Sequence, residues 1–329
     1  MVAPKYNGIN KYCEKITKEL SIQNNIERIG FEQIEFDKSK IIKEVNEACA
    51  KIERGNFDII HYNFGTYDAE QLIPLMLSKK NNKRNYKTIF TVHSNQYSLF
   101  KKIGNIALFN EINQSLKECD AYIFFTKTTQ KKWNVDCKQS VINLCSTISK
   151  SSSLIDERII DIIKNNKKIF LVLGYASHWK DYNMVVNAAK VLPNEVFVFA
   201  GPYWSQKNIP LIDNIIIIDK ELNDSEISFL INNGIGLFPY VHYADFQGSG
   251  MLPNFIVNNR PYICNNIKEM VEYIDDESRI CDMNDLDAFC KKLSLSKNEK
   301  IFYKNSFDFS IKRHCELIRD FYKQVIGLD

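Results

Sequence analysis

Short apolar runs alternate along the chain with stretches whose apolar residues recur every three or four positions. This is the pattern of strands interleaved with amphipathic helices. Ile9, Tyr12, Cys13, Ile16 and Leu20 put one apolar face on a helix over residues 8–23, and residues 27–36 alternate as a strand does. Residues 41–52 are helical again and stop at Gly55; 57–62 is a short apolar strand, 69–77 a helix, and 87–92 a buried strand followed directly by His93. A helix over 105–119, a strand over 121–125 and a short helix over 128–133 complete the first half. The second half repeats the scheme, with strands at 168–173, 196–200, 214–218, 235–238 and 262–264. Between them lie helices at 184–191, 225–231, 250–257 and 268–274.

Short apolar strands separated by helices predict parallel sheets covered on both faces. Two such runs predict an α/β chain of two doubly wound, Rossmann-like domains. The polar stretch Ser149 to Ser153, followed by a Lys/Asn-rich helix, marks the boundary, giving domains at 1–150 and 151–308. Residues 309–329 carry a long amphipathic helix that caps its own domain or crosses back onto the first.

Composition narrows the class. Twelve glycines in 329 residues is roughly half the usual share and excludes collagen-like and linker-rich chains, so each glycine is worth placing. Nine scattered cysteines, with no Cys-x-x-Cys pair, read as reduced thiols of a cytoplasmic protein without a zinc site. No apolar run is long enough for a membrane span, and the first residues show no secretory pattern. The net charge of +3 is too small to point to nucleic acid. It is unevenly spread: residues 1–150 hold 23 basic and 16 acidic side chains, residues 151–329 hold 20 and 24. Lys79, Lys80, Lys83, Arg84, Lys101, Lys102, Lys131 and Lys132 are either a solvated surface or a peripheral contact with an anionic inner-membrane face.

In doubly wound sheets, ligands bind beyond the carboxyl ends of the strands. Gly8, Gly174, Gly201, Gly248 and Gly250 fall in turns leading into helices, where unpaired N–H groups suit phosphate. Gly248-Ser249-Gly250-Met251-Leu252-Pro253-Asn254 follows a strand and opens a helix, with Ser249 placed to cap it. It is neither a nucleoside-triphosphate P-loop nor the dinucleotide fingerprint, whose third glycine would be Pro253. His93 closes a strand and is a candidate to donate to a substrate hydroxyl or phosphate, and His61 ends the neighbouring strand. Lys180, six residues past a strand end, can reach a diphosphate as a point charge. The histidines show no metal spacing, so no metal site is expected.

Together these positions resemble glycosyltransferase family 4, of the GT-B fold, over nearly the whole chain. Asn7-Gly8-Ile9-Asn10-Lys11-Tyr12 resembles its opening glycine loop, and Lys87 to His93 the strand leading to its catalytic-pocket histidine. Gly174 to Lys180 resembles the turn that holds the donor diphosphate, Phe199-Ala200-Gly201-Pro202 the next donor-domain strand, and Gly248 to Ile263 the loop and helix over the donor sugar. The final helix resembles the one that returns to the N-terminal domain. The departures are specific. Tyr175 stands where the family has arginine, Asp181 where it has glycine, and the Glu-x7-Glu pair falls on Phe246 and Asn254, with Asp245 one residue off. These losses bear on catalytic rate more than on fold.

The resemblance implies an acceptor-side domain at 1–150, a donor domain at 151–308 and an interdomain cleft. It also implies sugar transfer from a nucleotide-diphosphate sugar, UDP- or GDP-linked, with retention and without metal, as in cell-surface polysaccharide synthesis. No cofactor is held tightly. Lys180 and Gly248–Gly250 would stabilise the leaving diphosphate, with Gly174, Tyr175 and Gly201 flanking it. His93 would hold the donor sugar, Asn254 the ribose, Asp245 would serve if its loop bulges, and Gly8 would flank a glycan, lipid-linked or protein acceptor. The competing reading is a non-catalytic partner subunit of an active glycosyltransferase. A two-lobed solute-binding protein is disfavoured by the free thiols and the missing leader.

Overall fold

The computed structural model describes the chain except for residues 6–7, 32–37, 66–68, 81–83, 94–104, 134, 149–153, 166–168, 242–247, 297–306 and 329. It consists of two compact units, and the chain passes from the first to the second between Asn143 and Leu144.

The first unit takes Met1–Asn143 and Ile311–Asp329. Its described elements are helices α1 (Gly8–Leu20) and α2 (Lys38–Arg54), strand β1 (Ile59–Phe64), α3 (Leu72–Lys79), β2 (Lys87–Val92), α4 (Ile106–Lys117), β3 (Ala121–Phe124), α5 (Lys127–Trp133) and β4 (Lys138–Val141), then the C-terminal helix Ile311–Ile326. The four strands lie in the order β1-β2-β3-β4, all parallel. Val2 adds to the β1 edge, bonding the backbone of His61 and Asn63, and Ile29 bonds beyond it. The spatial order therefore reverses between the first segment and β1, which makes that gap the unit's topological switch point.

The two faces of this sheet differ in chemistry because side chains alternate along each strand. One face carries Ile60, Tyr62, Phe64, Phe90, Val92, Tyr122 and Phe124, packed with apolar residues of α2, α3 and α4. The other carries His61, Asn63, Thr91 and His93, and against it lie Tyr12 of α1 with His314 and Tyr322 of the C-terminal helix.

The second unit takes Leu144–Tyr243 and Gly248–Ser310. It runs α6 (Glu157–Asn165), β5 (Ile169–Leu173), α7 (Tyr182–Val191), β6 (Val196–Ala200), β7 (Ile215–Ile218), α8 (Asp224–Asn233), β8 (Ile235–Phe238), α9 (Leu252–Val257), β9 (Tyr262–Asn265), α10 (Lys268–Val271), β10 (Ile280–Cys281) and α11 (Leu286–Leu295). The strands are parallel in the order β10-β9-β8-β5-β6-β7. Phe170, Val172, Phe197 and Phe199 pack with α7 and α11 on one face. Order reverses between β5 and β8, so the switch point, where doubly wound sheets bind ligands, lies beyond Leu173 and Phe238.

Caps explain where several helices begin. Asn105, Asp181 and Asp285 each accept a backbone N–H from the first turn, and Asn223 with Glu226 forms a reciprocal capping box. Asp181, which stands where the family that the sequence resembles has glycine, thus has a structural task as the cap of α7.

Candidate functional site

In the second unit, the β5/β8 switch point gathers most of the residues singled out from the sequence. Gly174 ends β5 at φ +89° and Gly201 ends β6 at φ +138°. A Cβ on Gly201 would meet the Gly174 carbonyl oxygen at 2.5 Å, so its lack of a side chain is demanded by the neighbouring turn rather than by a ligand. The Gly174 carbonyl is also held by Trp204 Nε1 at 2.9 Å. Tyr175 stands partly exposed beside Tyr203, their ring centroids 5.9 Å apart.

Lys180 lies under this turn. Its side chain is 7% exposed, and Nζ donates to the carbonyls of Leu173 and Tyr175, each at 2.8 Å. The ammonium sits 5.4 Å from the Trp204 ring centroid and 5.9 Å from that of Tyr240. Among the described residues no carboxylate pairs with it. Burial therefore acts without a counter-charge and pushes its pKa down to about 7. A buried ammonium walled by aromatic faces and carbonyl dipoles, with no carboxylate beside it among the described residues, has the chemistry to meet an anion.

Across the crevice, Ser249 Oγ accepts from the Met251 backbone N–H at 3.2 Å and bonds Tyr240 Oη at 3.0 Å, which holds the turn; it does not cap α9 as expected, because the N-cap position is Met251 and carries no side-chain cap. Gly248 takes φ +122°. Gly250 has open space where a Cβ would stand. Among the described residues the backbone N–H groups of Gly248, Ser249 and Gly250 meet no acceptor, so this turn can offer donors to an anion.

Asn254 has a different task from the one expected. It is fully buried, and Oδ1 accepts from Ser146 Oγ (2.7 Å) and from the N–H groups of Thr147 (3.0 Å) and Ile148 (3.3 Å). Its Nδ2 donates to the Gly250 carbonyl at 3.0 Å. Both ends of the amide are committed inside the unit, so Asn254 ties residues 146–148 to the Gly250 turn and leaves nothing for a ribose hydroxyl. Asp245 and Phe246 lie outside the described residues.

In the first unit, His93 follows β2 and is partly exposed. Its Nε2 lies 3.1 Å from Asn63 Oδ1, and the rings of Tyr12 and Phe125 meet it edge-on at 5.3 and 5.1 Å. Burial, reinforced by the nearby charge of His314, pushes the His93 pKa down to about 3. That direction favours the neutral imidazole in neutral solution. His61 bonds Tyr322 Oη through Nδ1 and Thr91 Oγ1 through Nε2, both at 2.6 Å, and has the character of a satisfied core histidine. Gly8 opens α1, exposed and with open space about its Cα.

Sequence reasoning missed Asn63, Tyr12 as a wall of the His93 site, and His314. The signal for Asn63 was present: polar residues at 61 and 63 on one face of an otherwise apolar strand. His314 comes from a helix distant in sequence, and nothing local announces it.

The basic cluster is less open than its composition implies. Lys79 pairs with Glu111 and Lys80 with Glu53, while Lys83, Lys101 and Lys102 lie outside the described residues. Among the described residues no helix is long and apolar enough to cross a membrane, and no cluster of three or more His, Cys, Asp and Glu side chains is arranged to hold a metal ion. No disulfide joins any of the nine cysteines.

No protein-family model and no curated protein sequence matches the chain. Solved structures do match it in fold. A sucrose-phosphate synthase from Thermosynechococcus elongatus superimposes with a TM-score of 0.71 at 11% identity, over 99% of this chain and 96% of the other. HepE of Anabaena, in complex with UDP and glucose, gives 0.65 at 11% identity, over 98% of each chain. The E. coli trehalose-6-phosphate synthase bound with UDP-2-fluoro-glucose gives 0.61 at 10% identity, over 100% and 95%. The fold is that of the GT-B glycosyltransferases. At these identities the likeness establishes architecture, and the chemistry has to be argued from this chain's own side chains.

Proposed function

We propose that the chain is a glycosyltransferase that takes a sugar from a UDP- or GDP-linked donor and passes it to a glycan, lipid-linked or protein acceptor. The observation that carries this reading is Lys180: a buried ammonium with no carboxylate partner among the described residues, at the switch point of a parallel sheet whose Gly248–Gly250 turn has, among those residues, three N–H groups without an acceptor. That combination suits a diphosphate better than a neutral or cationic ligand. The neighbouring GT-B structures with UDP, glucose and UDP-2-fluoro-glucose bound support the same class of donor.

On this reading Lys180 and the Gly248–Gly250 turn hold the diphosphate and stabilise the negative charge that develops on it as the glycosidic bond breaks. Electrostatic stabilisation of that kind is usually the largest catalytic contribution. Ser249 and Tyr240 keep the turn in place, and Asn254 supports it from behind. His93 hydrogen-bonds a hydroxyl of the donor sugar, and Gly8 flanks the acceptor. Retention of configuration and independence of metal follow the family that the sequence resembles and belong to the proposal, as does service in cell-surface polysaccharide synthesis.

One test is a panel of UDP- and GDP-sugars incubated with the chain, followed by detection of released nucleoside diphosphate. Slow hydrolysis or transfer from one donor supports the reading. A second reading, a non-catalytic subunit that binds nucleotide sugar, is favoured by Tyr175 in place of the family arginine and by the internal commitment of Asn254. Tight binding of UDP or GDP with no turnover across a broad acceptor panel would select it.

A further inference from the structure

The polar face of the first unit's sheet holds an arrangement that the proposed transfer does not by itself require. Asn63 is completely buried in β1, beside Thr91 of β2, and its Oδ1 stands 3.1 Å from His93 Nε2. We propose that Asn63 is a positioning residue: it holds His93 in the Nε2-protonated neutral tautomer, so that Nδ1 meets a bound sugar as a hydrogen-bond acceptor. The ligand half of this statement rests on the proposed role of His93; the tautomer half does not.

With Oδ1 toward the ring, as here, the amide can only accept, so the facing nitrogen carries the proton; Asn63 Nδ2 is buried without a partner among the described residues. A second proton on the ring is disfavoured by its surroundings. Tyr12 and Phe125 wall it at 5.3 and 5.1 Å, so an imidazolium would lose solvation there, and the titratable group facing it from the C-terminal helix, His314, bonds the Tyr12 hydroxyl. The wall is itself fixed. His314 Nδ1 lies 2.8 Å from the Asn143 carbonyl and must donate there, so its Nε2 accepts from Tyr12 Oη at 2.7 Å. His93 is thereby clamped in orientation as well as in protonation. Among the described residues its Nδ1 has no hydrogen-bond partner. A bare imidazole nitrogen takes an O–H or N–H donor and gives nothing to the acceptor oxygens of a diphosphate. The polarity of the site therefore selects a hydroxylated ligand and excludes His93 from phosphate binding.

Long-range proton–nitrogen correlation spectra of histidine-labelled protein read the tautomer directly, with His93→Gln assigning the resonances. The expected result is a protonated Nε2 and a bare Nδ1, unchanged from about pH 5 to pH 8. Asn63→Leu should release the preference and populate the Nδ1-protonated form. Asn63→Asp, a near-isosteric variant, should keep Nε2 protonated and raise the His93 pKa by more than about one unit, because a carboxylate favours the imidazolium. An Nδ1-protonated ring in the wild type, or an Asn63→Leu spectrum identical to it, overturns the proposal. Added UDP-glucose should move the Nδ1 resonance, and UDP alone should not. If the tautomer is as stated but no nucleotide sugar moves that resonance, the sugar contact of His93 is overturned and the positioning role of Asn63 stands.

Discussion

Replacing Lys180 with Met removes the charge while keeping an unbranched side chain of similar length between Trp204 and Tyr240. The buried ammonium titrates near 7 instead of 10.5, a difference of about 5 kcal/mol between charged and neutral forms. That penalty arises because burial comes without a counter-charge, and a bound diphosphate would supply one. Nucleotide binding should therefore restore the proton to Lys180. At pH 7 about half of the free protein carries it, so UDP binding should take up about half a proton, rising to nearly one at pH 8. Calorimetric titrations of UDP in buffers of different ionisation enthalpy measure this uptake. Lys180→Met should abolish it and weaken UDP binding roughly 100-fold, in line with the loss of charge-assisted hydrogen bonds. The same residue gives the free protein a pH signature. Its folded pKa is depressed, so between about 7 and 10.5 the folded state binds fewer protons than the unfolded state, and stability rises with pH across that window. The Met variant should lack this slope. Equal UDP affinity in wild type and variant, or no proton uptake between pH 6 and 8, would refute the reasoning.

Three further outcomes follow from the same geometry. Asn254→Ala strands one hydroxyl, two amide N–H groups and a carbonyl, and should lower unfolding free energy by about 2–4 kcal/mol in urea titrations. Gly201→Ala drives a Cβ against the Gly174 carbonyl at a positive φ and should cost at least about 2 kcal/mol, whereas Gly250→Ala enters open space and should leave the melting temperature nearly unchanged. His93→Ala should lower turnover at least about 100-fold with nucleotide affinity preserved, as expected for a contact to the sugar; wild-type-like turnover in steady-state assays would remove His93 from the mechanism.

The regular elements were legible where the apolar pattern is strong. The strands at Lys87–Val92 and Val196–Ala200 have the bounds their apolar runs suggest, because both are interior strands buried on two faces. The edge strands β4, Lys-Gln-Ser-Val, and β10, two residues long, carry no such run and escaped notice. The strand expected over residues 27–36 appears as a single bridge at Ile29, with 32–37 outside the described residues.

The glycine turns and Lys180 could be found because a strand end followed by a helix start fixes their place in the sheet. The role of Asn254 could not, since the three groups that its Oδ1 accepts from lie more than a hundred positions away. Nor could the sequence show that His93 is held neutral. That follows from Tyr12, Asn63, Phe125 and His314, which only the folded chain assembles.

The measurement closest to the central claim is calorimetric titration of the wild-type chain with UDP, GDP and inorganic pyrophosphate, with Lys180→Met in parallel. The account predicts that at least one nucleoside diphosphate binds with proton uptake and that the variant loses both affinity and uptake. A wild-type chain that binds none of them, or binds one equally well without the Lys180 ammonium, would contradict it.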